Sequence, residues 1–439
     1  MEPDPSADVP EPSADVVVVG AGPAGTAAAV TLARLGRRVT VYDKATFPRD
    51  KCCGDGLTTA ALRRVQHLGL DPARVPSWQP VTDVTVVAAD GRQVHLPFPA
   101  DGTSYAVSAR RADLDAALVD LAERSGARVV QGCSVTGATL AGGGTGVRLD
   151  LEGGRTITAR YVIAADGMWS PLRRSLGLAS PGYLGEWQAG RQYLTGTGPL
   201  ARKLWVWFEP DMLPGYAWSF PLADGVVNFG YGVLRPGPDG AGASQPAAGT
   251  RLKGQRIDWI DRPHIAEVLG PGARPAGPWR AWPIPARIGD AHLDALGGRV
   301  LFAGDAAGAC DPMTGEGIAQ ALETGEQAAR AAAQAGPDHP ERAAARYRRQ
   351  VRWGLALDDR LAQALSKVLA HPTGSGRALA LVDASDWCRR NFARWMFEDY
   401  PRAALATPHR WRRHMFSSPG AYPVAAGDTH DSFCGRPGR

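Results

Sequence analysis

The sequence predicts an α/β chain in which a dinucleotide-binding domain built on a parallel sheet is interleaved with an antiparallel-sheet domain and followed by a helical C-terminal region. Three observations carry that prediction. Gly20-Ala21-Gly22-Pro23-Ala24-Gly25 follows the apolar run Val16 to Val19, Ala165-Asp166-Gly167 follows Tyr161 to Ala164, and Gly304-Asp305-Ala306-Ala307-Gly308 follows Val300 to Ala303. A short apolar run without polar alternation suits a strand covered on both faces, as in a parallel sheet. Three glycine/aspartate turns, each closing such a strand, describe a site wrapped around one long dinucleotide, FAD.

In the first turn, Gly20 allows the tight bend, Gly22 lets the backbone approach a pyrophosphate, and Gly25 lets the next helix pack close to its strand. Pro23 and Ala24 open that helix, whose N-terminus offers N–H donors and partial positive charge to the phosphates. Gly36 ends it before the strand Arg38 to Tyr42. Asp43, about 20 residues past the glycines, stands where an acid accepts hydrogen bonds from a ribose, with Lys44 beside it. A loop leads to a helix near Leu57–His67, then to short strands from Val81 to Pro99. Arg111 to Ser125 reads as an amphipathic helix with Leu114, Leu118 and Leu121 on one stripe. Val129 to Val135 and Val147 to Ala164 read as strands joined by Gly142-Gly143-Gly144-Thr145-Gly146. No helix pattern follows that cluster, so it reads as a hairpin turn and not a phosphate loop. A strand-rich, aromatic block over 180–285 contains a Gly/Pro-rich loop, Pro236 to Gly249, expected to be mobile. The chain then returns through Arg299 to Gly304, a helix from Gly317 to Ala335, and helical residues 340–400.

These elements divide the chain into a leader (1–13), a discontinuous Rossmann-like FAD-binding domain (14–75, 105–180, 285–340), a substrate domain (76–104, 181–284), a C-terminal helical region (341–405) and a basic tail (406–439). The first 15 residues carry five acids, no base and several prolines, so a disordered leader is expected. It lacks the basic and apolar regions of a signal peptide, and no run of ~20 apolar residues follows, so a cytoplasmic protein with no membrane span is expected. A dispersed net charge of +5 argues against nucleic acid as a partner. Cys52, Cys53, Cys133, Cys310, Cys388 and Cys434 show neither metal-ligand spacing nor a disulfide framework. HExxH, GxSxG and Walker patterns are absent from the sequence, which argues against zinc protease, serine hydrolase and NTPase chemistry.

Asp166-Gly167 with Ser170 and Arg173 resembles the second motif of flavoproteins built like p-hydroxybenzoate hydroxylase, and Gly304-Asp305 resembles their third. The resemblance implies that Asp305 binds the ribityl hydroxyls of FAD, and that Pro312, Gly315, Gly317 and Ile318 face the flavin ring. It also implies that Arg111, in Arg-x-x-Leu-Asp, contacts the FAD linkage and that Val135 meets the adenine. A helix starting near Gly317 would turn its positive end toward the flavin edge that becomes anionic on reduction. Within that superfamily, the segment Lys51-Cys52-Cys53-Gly54 is similar to the Lys-x-Cys-Gly segment of the geranylgeranyl reductase family. Gly215-Tyr216-Ala217-Trp218-Ser219-Phe220-Pro221 resembles the segment that lines that family's isoprenoid cavity. Pro214 replaces one glycine of the family's usual pair, and Trp205 stands where Tyr or Phe is common. Gly308 stands where hydroxylases carry a histidine, and Tyr216 to Pro221 departs at two places from the halogenase Trp-x-Trp-x-Ile-Pro signature.

Tyr216, Trp218 and Phe220 alternate, so on a strand they share a face, as do Trp205 and Trp207 on a neighbouring segment. Together they are read as the wall of a channel for an apolar small-molecule substrate, the alternative being an aromatic sheet core. Gly54 and Cys53 are expected at the flavin, with Cys310 approaching the same region. The two cysteines would act as a redox pair, would shape proton delivery, or would simply pack against the cofactor. Asp55 is the nearest ionisable candidate for proton supply, which makes Cys53 and Asp55 the catalytic candidates. The family's chemistry implies hydride transfer from reduced flavin to a carbon–carbon double bond of an isoprenoid or other apolar natural product. The alternative is a monooxygenase or halogenase acting on an aromatic or polyketide-like substrate. With no second glycine fingerprint, the reductant is NAD(P)H docking transiently or a separate electron donor. The basic tail around Trp411 is a candidate for peripheral membrane contact, against a solvated tail.

Overall fold

Five strands run parallel in one sheet, in the spatial order Arg128–Gln131, Val39–Asp43, Ala14–Val19, Thr156–Ala164 and Val300–Phe302. The computed structural model describes residues 14–235, 259–403 and 418–424. The leader, the Pro236 to Gly249 loop and the tail around Trp411 lie outside the described residues.

The β-branched run Val16 to Val19 forms the middle strand of this sheet and is buried. Both faces are covered, as its lack of alternation requires. Helices Pro23–Arg34 and Ile318–Ala335 cross on one face, where a Cβ on Gly325 would come within 2.0 Å of the Ala24 carbonyl oxygen. An antiparallel hairpin, Val135–Leu140 and Val147–Leu151, pairs with the first half of Thr156–Ala164. The run Val129 to Val135, expected as one strand, is therefore two: Arg128–Gln131 edges the parallel sheet and Val135 begins the hairpin. Gly132, at a φ of 69°, turns the chain between them. Val147 to Ala164 likewise breaks at Gly153 and Gly154.

The second sheet orders Gln93–Pro97, Asp83–Val87, Leu204–Trp207, Tyr216–Pro221, Val227–Leu234, Trp187–Thr195 and Arg280–Ile284. It is antiparallel except where Leu204–Trp207 meets Asp83–Val87, which run parallel. The hairpin Asp83–Val87 and Gln93–Pro97 thus completes a sheet whose other strands come more than 90 residues later.

Four helices follow: Pro340–Gly354, Ala356–Leu369, Pro372–Val382 and Asp386–Met396. The first lies on Ile318–Ala335 and the last on Gln93–Pro97, so this region bridges the two sheets. Leu379, Val382 and Ala393 share a core with Val84, Val94 and Leu96. Part of the tail folds back, where Ala421–Pro423 pairs with Thr103–Ser104. Among the described residues no helix is long and apolar enough to cross a membrane.

Candidate functional site

The ends of the parallel strands and the inner face of the second sheet enclose one cavity of about 1400 Å³. Single small-molecule pockets are commonly ~300–1,000 Å³, so this one has room for a dinucleotide and a second molecule.

Its nucleotide end is built from the three turns. Gly20, Gly22, Pro23, Ala24, Asp43, Lys44, Val135, Asp166, Gly304 and Asp305 all line it. Gly25 does not, because it packs: a Cβ there would meet the Gly20 carbonyl oxygen at 1.8 Å. Asp43 accepts hydrogen bonds from the Ala21 and Ala45 amides at 2.7 and 2.8 Å, bracing the turn at the strand end. Helix Pro23–Arg34 begins at Gly22 with no side-chain cap, leaving its first amides free for an anion. Two arginines complete that anion site. Arg49 Nη2 lies 3.7 Å from where a Gly22 Cβ would stand, and Arg111 lines the cavity beside it. Buried Asp115 holds both, taking Arg111 in a bidentate pair at 2.9 and 2.8 Å and Arg49 at 2.9 Å. Asp166 accepts from the Leu172 amide through Oδ2, while Oδ1 is buried without a partner. Anion donors at an uncapped helix, acceptors at two strand ends and an unsatisfied carboxylate oxygen together fit FAD.

Around the middle of the cavity, Lys51 pairs with Asp305 at 3.4 Å and sits over the Trp282 ring. Met313 to Ile318 line it, Gly315, Gly317 and Ile318 among them. Pro312 does not. Its carbonyl accepts from Trp187 Nε1 at 2.9 Å, which anchors the loop. Helix Ile318–Ala335 starts at Gly317, with its first amide, Ile318, taken by the Glu316 carboxyl at 2.9 Å, and it aims a second positive helix end into the cavity.

Cys53, Gly54 and Cys310 line the same space, and both cysteines are free thiols. Burial pushes both thiols upward, Cys310 strongly so, with the neighbouring Asp305 adding to the rise. Reactive thiolates need the opposite setting, so the two sulfurs line the cavity as neutral groups.

Asp55 departs from its expected place. It is completely buried, at a left-handed φ of 65°, and does not line the cavity. Its Oδ2 accepts from Tyr193 Oη at 2.7 Å and Asn228 Nδ2 at 2.8 Å, and its Oδ1 from the Arg111 amide at 3.2 Å. Burial lifts its carboxyl to about 6 despite those donors. Asp55 therefore clasps the cysteine loop to the substrate sheet and to helix Arg111–Arg124; loop position alone had suggested a proton donor.

At the apolar end, Tyr216, Trp218 and Phe220 form a row with ring centroids 5.8 and 6.0 Å apart. Tyr216 is tied by its hydroxyl to the Thr314 carbonyl, linking this wall to the loop before Gly317. Trp218 Nε1 donates to Asn228 Oδ1 at 3.1 Å, and Asn228 Nδ2 donates to the Cys53 carbonyl at 2.8 Å. The expected partners Trp205 and Trp207 face the other way. Val206 lies opposite Trp218 in the register, so Leu204, Val206 and Phe208 share the cavity face. Trp205 and Trp207 stack on the far side, in a core with Phe229 and Tyr231. The C-terminal helices, expected as a helical region over 341–405, also close the apolar arm, with Leu365, Leu379, Phe392 and Met396, a part in the site that no motif announced. Glu316, an acid in the cavity wall, was not singled out by any motif either.

The FAD binding domain family model matches residues 13–195. The chain is 35% identical over 339 residues to the menaquinone reductase of Mycolicibacterium smegmatis, covering 72% of this chain and 75% of that one. It is 30% identical over 317 residues to the digeranylgeranylglycerophospholipid reductase of Methanothrix thermoacetophila, covering 71% and 75%. The crystal structure of a geranylgeranyl bacteriochlorophyll reductase-like protein from Thermoplasma acidophilum superposes with a TM-score of 0.68 at 20% identity, over 91% of this chain and 99% of that one. That last likeness speaks to the fold. The sequence relatives speak to descent, and with the flavin-fitting turns and the cysteine loop they agree with what the motifs implied: the chain belongs to the geranylgeranyl reductase family of FAD-dependent oxidoreductases.

Proposed function

We propose that this protein saturates a carbon–carbon double bond in an isoprenoid chain or another apolar natural product. The observation that carries the reading is continuity: one cavity runs from the nucleotide turns past Cys53 and Gly317 into an arm walled by Val206, Tyr216, Trp218 and Phe220. The names of the relatives, a menaquinone reductase and a digeranylgeranylglycerophospholipid reductase, support the same substrate class.

Bound FAD, once reduced by NAD(P)H or a separate electron donor, supplies the hydride. The chain supplies the geometry. Arg49, Arg111 and the helix end at Gly22 hold the phosphates, while Asp43 and Asp305 take hydroxyl groups. The helix end at Gly317 stabilises negative charge at the ring edge. The aromatic row and the C-terminal helices exclude water and lay an extended chain along the arm, which supplies orientation to an unactivated alkene. Cys53, a neutral thiol in the cavity wall, would pack beside the flavin.

Dithionite-reduced holoprotein, incubated anaerobically with a geranylgeranyl-chain phospholipid, which has no other reducible group, tests this. Product mass should rise by two for each bond reduced. An oxygen or halide gained only after air is admitted would move the enzyme to the oxygenase branch.

A further inference from the structure

The cavity contains five carboxylates, and four have evident work. Asp43 and Asp166 belong to the nucleotide turns, Asp305 pairs with Lys51, and Asp50 pairs with Arg191 and Arg280. Glu316 is the fifth. It immediately precedes Gly317, and its Oε1 accepts only the Ile318 amide at 2.9 Å. Among the described residues it makes no ion pair.

Behind it lies a second acid, Glu398. Its Oε2 accepts from Thr58 Oγ1 at 3.1 Å and its Oε1 from Gln320 Nε2 at 2.8 Å, with Arg402 at 3.7 Å. Thr58 lines the flavin cavity, whereas Glu398, Gln320 and Arg402 line a separate polar cavity of about 840 Å³. The two carboxyls therefore stand in the partition between a water-excluding site and a polar one. Gln320 gives its amide donor to Glu398 and leaves its own Oε1 buried without a donor. Arg402 stands in the same partition with Nη1 and Nη2 buried and without a hydrogen bond, 3.7 Å from Glu398, so donors are not short there. What favours a retained proton is the mutual repulsion of two buried carboxyls, of which Glu316 has no cation of its own among the described residues.

We propose that Glu316 is the acid that protonates the substrate carbon and that Glu398 returns the proton to it from the second cavity. The proposal rests on the reductase reading above. The reduced cofactor delivers two electrons and one hydrogen to one alkene carbon. The Glu316 O–H bond breaks as the second C–H bond forms at the adjacent carbon. The resulting carboxylate takes a proton from Glu398, which is reprotonated from solvent. Charge and atoms balance without a further reactant.

The surroundings support this chemistry. Burial raises the Glu316 carboxyl to about 8, helped by the Glu398 and Asp311 charges and opposed by the Ile318 amide and Arg111. Cys53, Cys310 and Tyr216 also face it, and all three are themselves pushed up, so none competes as a charged group. Burial raises Glu398 to about 7, opposed by Arg402, Thr58 and Gln320, with Asp311 adding to the rise. A carboxyl raised in this way holds its proton to higher pH than a free one and still gives it up readily.

The test uses FAD-loaded protein and two readouts. In single-turnover reduction of the alkene, Glu316→Gln should slow the step about a hundredfold and abolish its decline above the Glu316 midpoint. Glu316→Asp should keep that decline, and Glu398→Gln, by removing a like charge, should move the midpoint to lower pH. The second readout needs no turnover: the infrared carbonyl band of a protonated carboxyl should titrate at alkaline pH in the oxidised holoprotein and vanish in Glu316→Gln. A band and a pH profile unchanged in Glu316→Gln would overturn the proposal. A wild-type protein that reduces no alkene would count against the reductase reading, and the infrared titration still decides the state of Glu316.

Discussion

Asn228→Ala is the most informative perturbation of the scaffold. Asn228 is buried in strand Val227–Leu234 and makes three hydrogen bonds, to Trp218 Nε1, the Cys53 carbonyl and Asp55 Oδ2. Truncation strands the indole N–H and the carbonyl, each costing about 1–3 kcal/mol when left buried and unpaired. Asp55 keeps Tyr193 and the Arg111 amide, so its share is smaller. The expected loss is about 3–5 kcal/mol at alkaline pH. Its pH dependence is the sharper test. Asp55 has a folded pKa of about 6, above the ordinary value of about 3.9 in an unfolded chain. The native state thus binds more protons over that interval, and wild-type stability falls as pH rises through it. Removing Asn228 takes a donor from the carboxylate alone and lifts the folded pKa further. The variant's deficit should then be larger at about pH 8 than at about pH 5, by roughly 1 kcal/mol. Urea titrations of the FAD-loaded protein, followed by tryptophan fluorescence at both pH values, measure it. A deficit equal at the two pH values, or below about 1 kcal/mol, would refute the clasp.

Three further outcomes follow from the cavity. Val206→Trp fills the arm opposite Trp218 and should lower kcat/KM at least about tenfold with FAD still bound, whereas Trp205→Phe, on the far face, should stay within about twofold; steady-state assays separate the two. Arg49→Ala removes a cation beside Gly22 and should weaken FAD about ten- to a hundredfold, the worth of one charged hydrogen bond, as read by flavin fluorescence titration. Cys53→Ala should retain FAD stoichiometrically and lose most turnover; full activity in that variant would remove Cys53 from the reaction.

The nucleotide half was legible because its constraints are local. Gly22, Gly25 and Asp43 do their work within one β-α-β unit, so spacing alone locates them, and the helices Thr59–His67, Arg111–Arg124 and Ile318–Ala335 begin within about two residues of where their patterns placed them. The substrate half depends on register, which spacing cannot supply. Alternation told that Trp205 and Trp207 share a face, but only the pairing of Val206 with Trp218 says which face it is. Asp55 shows the same limit in a loop: Cys53 lines the cavity and Asp55, two residues on, does not. The C-terminal helices carry no motif, and their part in the cavity follows from packing against Gln93–Pro97. Two missed residues did leave a trace. Asn228 is a lone amide in an otherwise apolar and glycine-rich strand, and Glu316 is the one charge between Met313 and Ile318. A polar group in each such setting requires a partner or a task.

The central claim is that one cavity brings reduced flavin against an apolar chain, so that the substrate itself reoxidises the cofactor. The measurement is the flavin absorbance of dithionite-reduced holoprotein, freed of excess dithionite and mixed anaerobically with a geranylgeranyl-chain lipid that carries no quinone ring. The account predicts return of the oxidised flavin spectrum without oxygen, at a rate that rises with substrate and is lost in Val206→Trp. A spectrum that stays reduced with every apolar chain until air is admitted would contradict it.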